Sequence, residues 1–156
     1  MRIGVLSDTH GLLRPEALRA LQGVDIIVHA GDVGRSEILQ SLKGVAPVFA
    51  VRGNVYIEPW ADQLPVTAVV EAGNVNLYLI HNLNELDLKP EAAGIHVVIS
   101  GHTHQVLNRE RNGVLYLNPG SAGPRRFNLP TTLMLLDLGA KPWNVEVVDL
   151  LAGPFS

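Results

Sequence analysis

The sequence predicts an α/β protein, α+β in some schemes, built as a four-layer αββα sandwich of two mixed β-sheets flanked by helices. Three observations support this fold class. The first half alternates short apolar runs with amphipathic stretches, which is typical of strands and helices around a buried sheet. The second half contains mostly strand patterns. The length of 156 residues and 47% apolar composition suit one domain, which we place at 1–156.

In the first half, apolar runs predict strands at 2–7, 25–30 and 47–52. Two amphipathic stretches between them predict connecting helices at 15–21 and 36–42. Pro15 opens the first helix at a position where proline is tolerated. Ser36 is a suitable cap for the second helix, which ends before Gly44.

In the second half, strands at 66–71 and 76–81 flank Gly73-Asn74 and predict a hairpin. A buried strand follows at 96–100, after a short helix around 90–93. Strands at 105–111 and 114–117 flank the turn pair Asn112-Gly113, and further strands are predicted at 131–137 and 144–150.

The composition excludes several kinds of site. The chain has no cysteine, so any metal must be held by oxygen atoms and imidazole nitrogens. The formal net charge of -3 argues against a broad electrostatic grip on nucleic acid. The N-terminal apolar run is too short for a signal sequence, and no run approaches the about 18 residues of a membrane span. We therefore expect a cytoplasmic protein that does not enter membranes.

The most informative pattern is the position of polar residues directly after apolar strands. Five segments, RIGVLSDTH, DIIVHAGD, PVFAVRGN, NLYLIHN and HVVISGHTH, each end in a residue able to bind metal. Ligand sites of open α/β sheets form beyond the carboxyl ends of strands, where loops converge. The candidate metal ligands are Asp8, His10, Asp32, Asn54, His81, His102 and His104.

Each candidate also has a simpler interpretation. Asp8 with His10 could form a turn that caps a helix, and Asp32 or Asn54 beside glycine could be a turn residue. Any one of the three later histidines could be a hydrogen-bonded loop residue. Their coincidence at strand ends with two aspartates favours metal binding. Seven ligands exceed the need of one tetrahedral ion, which favours two ions that share a carboxylate.

The ordered set Asp8-x-His10, Gly31-Asp32, Gly53-Asn54, His81 and Gly101-His102-Thr103-His104 resembles the calcineurin-like metallophosphoesterase superfamily, specifically its small single-domain phosphodiesterases. The resemblance extends to the loop Asn118-Pro119-Gly120-Ser121. It implies that Asp8, His10 and His104 hold a first ion, that Asn54, His81 and His102 hold a second, and that Asp32 bridges them.

The resemblance also implies an enzyme, a dinuclear metal-dependent phosphodiesterase that hydrolyses a small phosphodiester by attack of a metal-bridging hydroxide. Its cofactors would be two divalent ions, manganese first, with nickel, zinc, iron or magnesium as alternatives. Asn54 would be both a metal ligand and a catalytic, substrate-binding residue that contacts a phosphate oxygen. We expect His29 to support the Gly31-Asp32 turn.

The chain departs from the family pattern near the substrate. Relatives that cleave monoesters with poor leaving groups carry a histidine directly after the Gly-Asn pair, where this chain has Val55. The missing general acid predicts a preference for diesters or acidic leaving groups. Tyr56 replaces a frequent aspartate, and Asn82 replaces the glycine after the fourth-motif histidine.

Other functions remain open at this point. The retromer complex contains a scaffold subunit of similar fold, so a protein-binding scaffold is the main alternative. A nuclease is less consistent with the acidic charge balance, and no P-loop or dinucleotide motif follows the first strand. Arg125 and Arg126 fit a solvated basic turn or a second phosphate site. A homo-oligomer is also open, with Trp60, Leu64 and Phe127 as its surface.

Overall fold

The computed structural model describes residues 1–54, 59–126 and 128–152 and contains two five-stranded mixed sheets. The strands are β1 (Arg2–Leu6), β2 (Ile26–His29), β3 (Val48–Ala50), β4 (Thr67–Ala72), β5 (Val75–Ile80), β6 (Val97–Ile99), β7 (Val106–Arg111), β8 (Val114–Pro119), β9 (Thr132–Asp137) and β10 (Asn144–Asp149). The first sheet has the order β10-β9-β1-β2-β3, and the second has the order β4-β5-β6-β8-β7. These two sheets confirm the predicted sandwich.

Parallel pairing places several strand ends at one edge of the molecule. In the first sheet β1, β2 and β3 are parallel, while β9 and β10 form an antiparallel extension. In the second sheet β5, β6 and β8 are parallel, and β4 and β7 flank them in antiparallel pairs. Both sheets therefore direct the loops that follow their parallel strands toward a shared edge.

Two α-helices cover the outer face of the first sheet, α1 (Pro15–Ala20) and α2 (Ser36–Lys43). Pro15 occupies the first turn of α1 as predicted, because the nitrogen of that position has no helical partner. Ser36 does not cap α2. It is the first helical residue, and Arg35 is the cap without a side-chain bond. Such shifts of one residue are common at helix ends.

The space between the sheets is filled by alternate side chains of facing strands. Ile3 and Val5 of β1 point into this core, while Leu6 joins a second core under the helices. Leu133 and Leu135 of β9 face the helices, and Met134 and Leu136 face the other sheet. The first sheet is therefore buried on both faces, as its continuous apolar runs predict.

The outer face of the second sheet has a thinner cover. A 3₁₀ helix at Leu83–Glu85 and the segment that follows pack on Tyr78, Ile80 and Val98. The short helix predicted around 90–93 is instead a hydrogen-bonded turn, because Gly94 leaves the helical conformation at φ +75°. A second 3₁₀ helix, Pro59–Gln63, was not predicted. No helix among the described residues is long and apolar enough to cross a membrane.

Candidate metal centre

The seven predicted ligands follow five strands of the two sheets. Asp8 and His10 follow β1, Asp32 follows β2, Asn54 follows β3, His81 follows β5, and His102 and His104 follow β6. The first sheet thus contributes both carboxylates and the amide, and the second contributes three of the histidines. The structure brings these side chains together across the seam between the sheets.

One group of ligand atoms surrounds the Asp8 carboxylate. His104 Nε2 lies 3.3 Å from Asp8 Oδ1, and His10 Nε2 lies 3.5 Å from the same oxygen. Asp8 is fully buried and His104 is 8% exposed. These three residues form one of the two clusters whose donor atoms lie close enough to share a metal ion.

The other cluster contains Asp8, Asp32 and His81. His81 Nε2 lies 3.2 Å from Asp32 Oδ2 and 3.8 Å from Asp8 Oδ1. Asp32 Oδ2 also lies 3.7 Å from His10 Nε2, so it faces a histidine of each cluster. Asp8 therefore belongs to both clusters, and Asp32 belongs to the second and faces a histidine of the first.

Asn54 and His102 form the exposed rim of the site. Asn54 Nδ2 lies 2.7 Å from His102 Nδ1, and the two rings of His81 and His102 lie 5.4 Å apart. The backbone N–H of Asn54 donates to Asp32 Oδ1 at 2.7 Å, and that of His102 donates to Asp8 Oδ2 at 3.1 Å. Both side chains therefore border the carboxylates, although neither belongs to a buried cluster.

The hydrogen bonds of His81 define which of its nitrogens can bind metal. Its Nδ1 lies 2.7 Å from the carbonyl oxygen of Ala30, which can only accept, so Nδ1 carries a proton. In the neutral ring, Nε2 then presents a lone pair toward the carboxylates of Asp32 and Asp8. The lone pairs of this nitrogen and of the carboxylate oxygens repel each other unless a cation or a proton lies between them. This is the arrangement of a histidine that binds metal through Nε2.

Three buried polar atoms of the site have no hydrogen-bond partner among the described residues: Asp8 Oδ1, His10 Nε2 and His81 Nε2. Buried polar atoms without a hydrogen bond cost folding free energy, and these three atoms face one another. Two donors that are each about 2.1 Å from a shared ion lie roughly 3.2–3.8 Å apart at coordination angles of about 100–130°. The donor distances in both clusters agree with that range, so the residues fit divalent cations.

The electrostatics of the site favour positive charge. Burial would raise the pKa of the Asp8 carboxyl, but His10, His104, His81 and Ser7 together hold that pKa far below its usual range. Burial would lower the pKa of His81, but Asp32, Asp8 and the Ala30 carbonyl outweigh it and raise the pKa. The raised pKa of His81 reflects the negative charge of the two carboxylates, and the lowered pKa of Asp8 keeps that carboxyl ionised at neutral pH.

The backbone around the ligands is strained. Asp8, His10, Asp32, His102 and His104 all have positive φ, between 46° and 74°. Asn112, in a hairpin turn, is the one other described non-glycine residue with positive φ. This conformation is unfavourable for residues with a side chain, and it concentrates at functional sites.

The glycines that precede the ligands allow close approach of neighbouring groups. A Cβ atom on Gly53 would overlap the Asp32 carboxylate, and one on Gly31 would lie 2.6 Å from His81 Nδ1. The ligand loops can pack this tightly because these positions lack side chains.

Sequence reasoning identified His29 as a residue that supports the site but missed its partner Thr9. His29 accepts from the Gly31 N–H at Nδ1, as expected for a residue that supports this turn, and its Nε2 also bonds Thr9 Oγ1 at 3.0 Å. Thr9 donates to the Val33 carbonyl at 2.7 Å. Burial lowers the pKa of His29 to about 4, so the ring is neutral. Thr9 lies between two predicted ligands, which was the available signal.

The departures from the family pattern are only partly visible. Asn82 caps the 3₁₀ helix that follows His81, where its side chain accepts from the Asn84 N–H at 3.1 Å. Val55, Tyr56 and Phe127 lie outside the described residues. Arg125 and Arg126 are exposed, while Trp60 and Leu64 pack against the core beneath the helices.

Similarity to known proteins agrees with this geometry. Residues 1–141 match the family model of the calcineurin-like phosphoesterase superfamily domain. A probable metallophosphoesterase from Methanocaldococcus jannaschii is 37% identical over 149 residues, which cover 86% of this chain and 75% of that protein.

Two solved structures share the fold. A novel archaeal phosphodiesterase has a TM-score of 0.79 and 24% identity, with 95% of this chain and 100% of that chain covered. Vps29 from Entamoeba histolytica, solved in complex with Zn²⁺, has a TM-score of 0.74 and 22% identity, with 96% and 99% covered. The chain belongs to the calcineurin-like phosphoesterase superfamily.

Proposed function

We propose that this chain is a single-domain, dinuclear phosphodiesterase that hydrolyses a small phosphodiester. The observation that carries the proposal is that three buried atoms without a hydrogen bond, Asp8 Oδ1, His10 Nε2 and His81 Nε2, lie together in one pocket with two carboxylates. Asp8, His10 and His104 would hold one cation, and Asn54, His81 and His102 the other. Asp32 faces histidines of both sets, which supports its role as the bridging ligand.

When bound, two divalent cations supply a nucleophile at neutral pH from a coordinated water and neutralise charge on the phosphoryl oxygens. The side chains of the chain then bind and orient the substrate. Asn54 lies at the exposed rim, where its amide can donate to a phosphate oxygen as charge develops. The exposed His102 beside it limits the position of that amide.

The proposed substrate preference follows from the residue after Asn54, where this chain has no side chain able to protonate the leaving group. Val55, directly after Asn54, cannot protonate a departing alkoxide, and such protonation contributes roughly 10²–10⁴-fold where it matters. We therefore assign diesters and acidic leaving groups to this site. Manganese is the first metal to test, because carboxylate and imidazole donors suit it.

The test uses metal-free protein supplied with manganese, nickel, zinc or magnesium. Hydrolysis of an aryl diester, an aryl monoester, an alkyl monoester and a cyclic nucleotide is measured for each metal. We expect turnover of the aryl diester to exceed that of the alkyl monoester by roughly 10²-fold or more. The opposite order would refute the missing acid, and no turnover with any metal would favour a protein-binding scaffold, the role open to a Vps29-like fold.

A further inference from the structure

One loop at the site contributes none of the predicted ligands yet contacts the loops that do. This connecting loop, residues 118–123, leaves the end of β8 in the second sheet and reaches the first sheet. There Ser121 pairs with Thr131, and Thr132 N–H donates to the Ser121 carbonyl at 2.9 Å. The loop therefore crosses the seam beside the metal ligands.

At its beginning the connecting loop holds the segment that carries His102 and His104. Asn118 is 3% exposed, and its Nδ2 donates to the Gly101 carbonyl at 2.9 Å and to Thr103 Oγ1 at 3.2 Å. Its Oδ1 accepts from the Gly120 N–H at 2.9 Å. The Nδ2 group of this amide thus joins the two loops, and its Oδ1 fixes the turn of the connecting loop itself.

At its other end the connecting loop holds the segment that carries Asp8. Ser121 Oγ donates to the Asp8 carbonyl at 3.0 Å, and the Ala122 N–H donates to the Ser7 carbonyl at 3.0 Å. A Cβ atom on Gly123 would overlap the Thr9 carbonyl, so the two backbones are in close contact. The loop therefore fixes Asp8 and the His102 to His104 segment relative to each other.

We propose that the connecting loop is a clamp that sets the distance between Asp8 and His104, with Asn118 and Ser121 as positioning residues. The inference rests on the proposed function, because it concerns the cation held by Asp8, His10 and His104. Asp8 and His104 come from different sheets, and apolar packing between sheets is not directional. Hydrogen bonds from one loop to both segments fix their relative position. Residues that bond to metal ligands commonly orient them in this way.

The second cluster has a direct link of its own between the sheets. His81 Nδ1 donates to the Ala30 carbonyl at 2.7 Å, which joins the end of β5 to the end of β2. The second cation therefore depends less on the clamp, although its ligand His102 lies on the clamped segment: loss of Asn118 or Ser121 should weaken the first cation most and the second less.

The experiment compares Asn118→Ala and Ser121→Ala with a matched control, Asn76→Ala. Asn76 Nδ2 also donates to a loop carbonyl, that of Gly94, at 2.9 Å, but lies at the opposite end of the second sheet. Two readouts are used: calorimetric titration of metal-free protein with Mn²⁺, and amide exchange of His102 in metal-free protein. The His102 N–H reports the clamp directly because it donates to Asp8 Oδ2.

We expect one of two Mn²⁺ ions to bind about 10–100-fold more weakly in Asn118→Ala and Ser121→Ala. Exchange of the His102 amide should be about tenfold faster in both variants, and Asn76→Ala should change neither readout. Unchanged exchange, or faster exchange with intact Mn²⁺ binding, would overturn the clamp while the proposed function stands. If the parent protein binds no Mn²⁺, the dinuclear function is overturned. Faster His102 amide exchange in the two variants would still support the clamp in that case.

Discussion

His29 in the first sheet and His81 in the second are both buried histidines at the ends of parallel strands, 0% and 4% exposed. Both ring nitrogens of His29 have partners, since Nδ1 accepts from the Gly31 N–H and Nε2 bonds Thr9. In His81 Nδ1 bonds a backbone carbonyl, and Nε2 makes no hydrogen bond but faces two carboxylates at 3.2 and 3.8 Å. Hydrogen bonds at both nitrogens mark a structural histidine, and a nitrogen directed at carboxylates marks a candidate ligand.

The largest loss of activity should come from a change in the cluster that contains His81. We expect Asp32→Ala to lose one Mn²⁺ equivalent and to lower aryl diester turnover by roughly 10³-fold or more, because several kcal/mol of charge stabilisation depend on the ions. Turnover and Mn²⁺ stoichiometry of the purified variant provide the measurement. Two retained equivalents with full turnover would exclude Asp32 as the bridging ligand.

The next largest effect is on Mn²⁺-dependent stability, which should distinguish His81 from His29. A ligand that binds only the folded state at 100 times its Kd stabilises it by about 2.7 kcal/mol. We expect His81→Asn to lose most of this Mn²⁺-dependent gain in denaturant melts. His29→Asn should lower the stability of the metal-free protein and keep most of the gain. Equal gains in both variants would contradict the distinction between the two rings.

The smallest effect concerns pH and His29 alone. Burial lowers the folded-state pKa of His29 to about 4 from the usual 6.5, where nearby Asp8 and Asp32 oppose the shift and His81 and His10 reinforce it. Between these values the unfolded chain binds more protons, so stability present above pH 6.5 is lost as pH falls toward 4.

We expect this loss to reach about 1.4 kcal/mol per pH unit in the middle of that window. His29→Gln does not titrate, so the difference in unfolding free energy between parent and variant isolates the contribution. Parallel stability curves for the two proteins from pH 6.5 to 4 would show that His29 is not held neutral.

Local patterns predicted much of the fold. Apolar runs placed the strands within a few residues, and the turn pairs Gly73-Asn74 and Asn112-Gly113 predicted both hairpins of the second sheet. The segment at 90–93 failed because one turn of helix and a hydrogen-bonded turn share the same composition. Ser36 failed as a cap because the helix begins one residue earlier than its sequence signal implies.

For the site, the residue types could be predicted from the sequence, whereas their contacts and backbone conformations are visible only in the structure. Strand-end positions predicted that the candidate ligands lie close together, and the structure places Asp8, His10, Asp32, His81 and His104 in two adjoining clusters, because parallel strands end at one edge. The bond from Thr9 to His29 and the contacts of Asn118 could not be predicted, since they join segments 15 to 20 residues apart through side-chain directions. The left-handed backbone of the ligands has no sequence signal when the residue is not glycine.

The seam between the sheets also has a kinetic consequence. Each cluster combines atoms from both halves of the chain, so neither cluster exists until the two sheets have docked. Bound ions therefore stabilise only a chain whose two sheets are docked. We expect Mn²⁺ to slow unfolding more than it speeds folding, so that the metal extends the lifetime of the native state.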